Sequence, residues 1–184
     1  MPKFLPVQSD AAGERVRRIY RDHEDTFGAP PDNLIKTLAP SSAILEGYYG
    51  LHKAVMGDIS LNDKTRELAI LKIARLNGCE YCQHGHVASA KRAGISDEMI
   101  AALEDHEKSD LFTFTEKEVL SWVEGLTRNA GSIDEELFKQ LKNHLTQQQV
   151  IELSAIAAFY NMTTRLAQAL EVEAEGQKKA AGHA

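Results

Sequence analysis

The chain has 184 residues, enough for one domain with a sizeable core, and its 21 basic and 27 acidic side chains leave a formal charge of −6. That balance lacks the basic stripe of a nucleic-acid-binding surface, so no nucleic-acid partner is expected. No run of about 18 apolar residues occurs, so no membrane span is expected. The start, "MPKFLPVQSD", has no apolar stretch of signal-peptide length, which makes the cytoplasm the expected compartment.

All five prolines, at positions 2, 6, 30, 31 and 40, fall in the first quarter. In chain order the pattern predicts a helix near 10–26 and one or two turns after "APPDN". Helices near 41–56, 61–76, 79–93 and 97–105 follow, then 115–129, 133–144 and 146–172. Starts are marked by "SLND" at 60–63, "TEKE" at 115–118, "SIDE" at 132–135 and "TQQQ" at 146–149. In each, a Ser or Thr can accept from a free backbone N–H while an acid or amide three residues on reaches back. Gly57, Gly78, Gly94 and Gly131 mark stops, as residues that tolerate a left-handed cap. No alternating β-branched run suggests a strand, so the fold class is all-α. One domain is expected over 1–172, with the small, polar stretch 173–184 as a frayed tail.

The last long helix is apolar around most of its circumference, through Val150, Ile151, Leu153, Ile156, Ala157, Phe159, Tyr160, Met162, Leu166 and Leu170. A helix apolar nearly all round is buried on all sides. Either a second subunit covers part of it, or its own chain wraps it.

Chemistry concentrates in "NGCEYCQHGHVASA", residues 77–90, which holds both cysteines of the chain. In a reducing cytoplasm a static structural disulfide is disfavoured. On a helix starting just after Gly78, at about 100° per residue, Cys79, Cys82 and His86 lie within about 60° of one another. Neighbours three and four apart meet, so Cys79 can touch Cys82 and His86 can touch Cys82. A thiol in the first turn faces unpaired N–H groups and the positive end of the helix dipole, which favour the reactive thiolate. An imidazole one turn on can accept the proton.

Glu67, in "RELAILKIARLNG", sits within an apolar stripe, where a carboxylate is costly to bury without a partner or a task. It is either a proton-relay group or one half of a Glu67–Lys64 surface pair. A closed zinc site needs four ligands. His84 and His86 diverge by about 160° on a helix and cannot both join the cysteines, so no metal site is expected. The thioredoxin-like use of C-x-x-C requires a βαβ setting that this pattern lacks. Tyr48, Tyr49 and His52 are either core or pocket residues, and Trp122 is core. Arg165, one turn from Asn161 in the apolar helix, would need an acidic partner if buried.

The stretch "RELAILKIARLNGCEYCQHGHVASAKRAGIS" closely resembles the core of the carboxymuconolactone decarboxylase superfamily, in its alkylhydroperoxidase D branch. The shared pattern is a glutamate, eleven residues, C-x-x-C, three residues and a histidine, filled here by Glu67, Cys79, Cys82 and His86. The lead-in "LHKAVMGDISLNDKTRE" and the late "ELSAIAAFYNMTTRLAQALEV" look like the longer, peroxidase-related members, so the resemblance covers roughly residues 40–172.

It implies an alkylhydroperoxidase D-like helical bundle that assembles into dimers, trimers or hexamers. The implied activity is a thiol-dependent peroxidase or disulfide reductase serving antioxidant defence. Glu67 and His86 are implied as a proton relay, with Cys82 attacking a hydroperoxide and Cys79 resolving. The helix-terminus reasoning alone favours Cys79 as the nucleophile. No tightly bound cofactor is implied, and an external dithiol, small or protein-borne, is expected as reductant. Tyr81 departs from the pattern, since some members carry histidine before the second cysteine. Two alternatives stand beside this reading: lactone decarboxylation, which uses histidine and acid groups without a cysteine pair, and a non-enzymatic oligomeric redox sensor.

Overall fold

The computed structural model describes residues 2–129 and 134–176, and within them nine helices and no strand occur. They are α1 (Glu14–Phe27), α2 (Asn33–Leu38), α3 (Ser42–Met56), α4 (Asp63–Leu76), α5 (Glu80–Arg92), α6 (Asp97–Ala101), α7 (Phe114–Arg128), α8 (Glu135–His144) and α9 (Gln147–Ala169). The protein is all-α.

The helix enclosed on every side is α4 rather than α9. Every residue from Glu67 to Ala74 is buried, because "ELAILKIA" leaves no polar stripe wide enough to face water. It packs against α5, α7 and α9. Helix α9 buries Val150, Leu153, Ile156, Ala157, Phe159 and Tyr160, but Ile151 and Met162 on its other face are exposed. A second, smaller apolar cluster joins Leu68 and Leu71 of α4 to Ala90, Ile95, Met99, Leu103, Phe112 and Leu120. Within this core Lys72 is buried and donates to Leu103 O at 2.9 Å, with the Glu124 carboxylate 2.6 Å away. A buried ammonium is tolerable only with such partners.

The helix ends refine the sequence signals. "TQQQ" forms the expected capping box, Thr146 with Gln149. The box of α7 is two residues earlier than "TEKE", formed by Thr113 and Glu116. At "SLND" the cap is Asn62, accepting from Thr65 N, while Ser60 donates to Glu152 at 2.6 Å. Asp134 caps α8, and Ser132 and Gly131 lie outside the described residues. Gly78 (φ 61°) and Gly94 (φ 86°) take the left-handed conformation, whereas Gly57 is extended.

Helix α1 starts at Glu14, not near 10, after a turn in which Ala11 N donates to Gln8 O. Helix α6 ends at Ala101, short of the expected 105. Helix α9 ends at Ala169, where Val172 N turns back to Ala167 O at 2.9 Å. Of the stretch expected to fray, residues 173–176 pack against α2. Ala174 is buried, Asn33 N donates to Glu175 Oε1 at 2.6 Å, and Asn33 Nδ2 donates to Glu173 O at 2.9 Å. Residues 177–184 lie outside the described part. No helix of the described residues is long and apolar enough to cross a membrane.

Candidate functional site

The α4–α5 turn sets the position of both cysteines. Gly78 adopts φ 61°, which lets Cys79 N reach back to Ala74 O at 2.8 Å and closes α4 without a Cβ clash. The turn is fastened to α9. Asn77 Nδ2 donates to Asn161 Oδ1 (3.0 Å) and Thr164 Oγ1 (2.9 Å), and Gln168 Nε2 donates to Asn77 O (2.6 Å). Cys79, two residues on, is therefore fixed relative to three helices.

Cys79 is the N-cap of α5, one position before the helix proper, and its sulfur accepts from Cys82 N at 3.3 Å. Cys82 lies in the first turn. Both are free thiols, both are buried, and their sulfurs stand 2.9 Å apart. The Cys82 hydrogen bond, then the N–H groups of Cys82 and Tyr81, lower the Cys79 pKa against the opposing effect of burial. The same thiol–thiol hydrogen bond, followed by burial, raises Cys82 well above the ordinary thiol range. Of the two thiols, Cys79 is therefore the one whose ionisation its surroundings favour. This is the charge placement expected of a helix N-terminus.

Glu67 is buried, and its Oε2 lies 2.9 Å from His86 Nδ1. The Glu67–Lys64 pair does not form, because Lys64 instead meets Glu116 at 2.7 Å. The other ring nitrogen, His86 Nε2, lies 3.0 Å from the hydroxyl of Tyr160 on α9. With Nδ1 of a neutral His86 donating to the carboxylate, Nε2 is an acceptor for the Tyr160 hydroxyl, which also has Met56 Sδ within reach at 3.2 Å. Burial, first of all, raises the Tyr160 pKa, so the phenol stays protonated and able to donate. The expected Glu67–His86 partnership is thus present. The imidazole, however, hydrogen-bonds a tyrosine that sequence reasoning had counted only as apolar core. The available signal was a hydroxyl on an otherwise apolar helix, since a buried phenol needs a partner.

Two cavities meet the dithiol. One, of about 330 Å³, is lined by Cys82, His86 and Tyr160 together with Phe27, Tyr48, His52 and Tyr81. The other, of about 280 Å³, is lined by Cys79, Glu80 and Tyr81, by Gln168 in the last turn of α9, and by Glu171 and Glu173 beyond it. Tyr81 borders both. It is the residue that departs from the histidine of the resembling family, and its hydroxyl accepts from Leu34 N at 3.2 Å.

The remaining candidates separate cleanly. Tyr48 and His52 line the larger cavity, and burial lowers the His52 pKa to about 4. Tyr49 instead donates to Asp22 at 2.6 Å, and Trp122 is buried. Arg165 is exposed and donates to Asn161 O at 2.7 Å, so it needs no acidic partner. Among the described residues no group of three or more His, Cys, Asp or Glu side chains is placed to hold a metal ion.

This helical scaffold with paired thiols in the α4–α5 turn defines a protein of alkylhydroperoxidase D-like fold. Residues 42–125, a little under half of the chain, match the sequence profile of the carboxymuconolactone decarboxylase family. YdfG, an uncharacterized protein of Bacillus subtilis (strain 168), is 27% identical over 112 residues, 60% of this chain and 76% of that protein. The alkylhydroperoxidase AhpD core of a peroxidase-related protein from Ralstonia eutropha JMP134 superposes with a TM-score of 0.81 at 20% identity, covering 95% of this chain and 93% of that one. The debrominase Bmp8 superposes with a TM-score of 0.77 at 22% identity, covering 94% and 91%. A cysteine-to-alanine variant of Bmp8 has been solved with 2,3,4-tribromopyrrole.

Proposed function

We propose that the protein is a thiol-dependent peroxidase that reduces hydroperoxides with the Cys79–Cys82 dithiol, using Glu67, His86 and Tyr160 as a proton relay. The observation that carries this reading is the cavity where Cys82 faces the His86–Tyr160 pair while touching a second thiol at 2.9 Å. Cys79, the favoured thiolate, takes the Cys82 proton across the sulfur–sulfur contact. Cys82 thiolate then attacks the distal peroxide oxygen and the O–O bond breaks. The leaving alkoxide takes the Tyr160 proton, and a proton from solvent, entering at His86 Nε2, returns to the phenolate while Glu67 accepts from Nδ1–H and steadies the imidazolium. Cys82 is now a sulfenic acid; Cys79 attacks its sulfur, water leaves and a disulfide forms. Two electrons have passed from the thiols to the peroxide. An external dithiol returns them by exchange and is itself oxidised to a disulfide.

A second reading is favoured by the aromatic wall of Phe27, Tyr48, His52 and Tyr81 around Cys82, considered with the likeness to Bmp8. The same two electrons, delivered to a bromoarene with one proton, would release bromide and leave the disulfide. Treating the reduced protein with one equivalent of tert-butyl hydroperoxide distinguishes the two. The peroxidase reading expects loss of two thiols, a mass lower by two protons and recovery with dithiothreitol. Unchanged thiols with peroxide, but bromide release from a bromopyrrole, would replace it by the second reading.

A further inference from the structure

The two cysteines line different cavities, and those cavities differ in chemistry. Cys82 lines the aromatic one with His86 and Tyr160, whereas Cys79 lines the one between the start of α5 and residues 171–174. Tyr81, between the cysteines in sequence, borders both and is held in place by Leu34 N. Tyr81, half-buried, is the residue that the two linings share.

The Cys79 cavity carries Glu80, Glu171 and Glu173 on its lining. Glu80 and Glu171 are exposed and Glu173 is half-buried. Lys3, which donates to Ala169 O, lies 3.4 Å from Glu171 and offsets that one charge. The two carboxylates of the larger cavity differ, because both accept from the backbone of α2: Asp32 from Ile35 N and Glu175 from Asn33 N. At the Cys79 side the carboxylates of Glu80 and Glu173 are left to act on whatever enters.

We infer that the Cys79 cavity is the entry site for the reductant, that it is separate from the substrate cavity, and that it selects thiols carried on neutral or cationic groups over anionic ones. The inference rests on the redox use of the pair proposed above. In the step it describes, an incoming thiolate attacks Cys79 Sγ of the disulfide, the Cys79–Cys82 bond breaks, and Cys82 leaves as thiolate and is protonated. A second thiol then attacks the mixed disulfide, releasing Cys79 as the thiolate that Cys82 N and Tyr81 N stabilise. In that second step the N-cap position stabilises the released Cys79 sulfur. Carboxylates at the rim repel a tripeptide thiol bearing extra carboxylates, such as glutathione, and attract an ammonium-bearing thiol.

The test closes the pair with diamide, so that no peroxide is needed, and follows reduction by acid quench, alkylation and mass. Cysteamine, 2-mercaptoethanol and 3-mercaptopropionate are compared at equal thiolate concentration and low salt. The expected order is cysteamine fastest and mercaptopropionate slowest, about 10-fold apart, converging at about 0.5 M salt. Glu80→Gln with Glu173→Gln should narrow the spread to about 2-fold, and Glu80→Lys with Glu173→Lys should invert it. Fragmentation should place the trapped adduct on Cys79. Equal rates for the three thiols, a spread unmoved by the charge variants, or an adduct on Cys82 would each overturn the inference. A pair that diamide leaves as two free thiols removes the redox reading and this one together. A pair that shows the charge preference but never reacts with peroxide removes the peroxidase reading and leaves the entry site standing.

Discussion

The Tyr160 hydroxyl decides what the Glu67–His86 pair can do, because it occupies the His86 nitrogen that faces the cavity. Had Nε2 pointed at Cys82 directly, the pair would serve as a base for the thiol, and raising the pH would replace it. With a phenol at that end and Cys79 already placed to take the Cys82 proton, the natural role is donation to the leaving oxygen. Tyr160→Phe keeps the ring and its edge contacts with His86 and Phe159. Loss of its buried hydrogen bond costs about 1 kcal/mol of stability. Turnover of tert-butyl hydroperoxide by this variant should fall about 10²-fold, the lower range for a lost general acid, and should stay low at high pH. With peracetic acid, whose leaving carboxylate needs no proton, the deficit should shrink to a few-fold. His86→Gln should behave alike, and the double variant should lose little more than the worse single one. A Tyr160→Phe deficit that vanishes with pH but not with leaving group would return the relay to the thiol.

At the scale of elements, α5 begins where it does because Cys79 caps it, and that tie between folding and chemistry can be measured. The Cys79 sulfur accepts from Cys82 N, the position that a serine oxygen fills better. Cys79→Ser should therefore match or slightly exceed the native stability, while Cys79→Ala should be about 1 kcal/mol less stable, read from urea midpoints. The serine variant should form the Cys82 sulfenic acid more slowly, for want of the Cys79 thiolate, but should keep it long enough for trapping by dimedone, since no second thiol condenses with it. Equal stability of the Ala and Ser variants would show that the sulfur is not a working cap. Much of this was legible in the sequence. Gly78 marks the turn, the capping signals and the lack of an alternating β-branched run mark the fold class, and the spacing of Glu67, Cys79, Cys82 and His86 marks the residues of the proposed site. The partner of His86 was not legible, because Tyr160 comes from a helix 74 positions away and its direction depends on how α9 crosses α5. Nor was the burial order. Lys72 and Glu67 disguise α4 as amphipathic, and only tertiary partners, Glu124 for one and His86 for the other, let that helix be enclosed.

For the molecule as a whole, enclosing imidazoles makes stability depend on pH above the range where carboxylates titrate. His52 is packed among His23, Phe27, Tyr48 and Phe159, and burial holds its pKa near 4, below the ordinary 6.5. His106 is lowered too, by burial and then by the neighbouring Lys72 ammonium. A histidine whose folded pKa is depressed binds protons more readily when unfolded. Between the two values the unfolded chain therefore holds more protons, and stability rises with pH. Above the unfolded value neither histidine contributes a slope. The paired carboxylates Glu116, Glu124 and Glu152, lowered from 4.5, add their own loss only as the pH falls through that region. Glu118, raised by burial, acts in the opposite sense, its contribution fading as the pH climbs past its folded value. The interval from pH 7 to pH 5 is thus chiefly the histidine window. From His52 alone the protein should lose about 2 kcal/mol across it, seen as a lower urea midpoint at pH 5 with an unchanged slope. His52→Phe keeps an aromatic ring in the stack without a titrating group, and should recover most of that loss while altering the midpoint at pH 7 far less. Equal midpoints for the native protein at pH 7 and pH 5 would mean that His52 binds a proton as readily folded as unfolded, and a difference that persists in full in His52→Phe would assign it to other groups, His106 first.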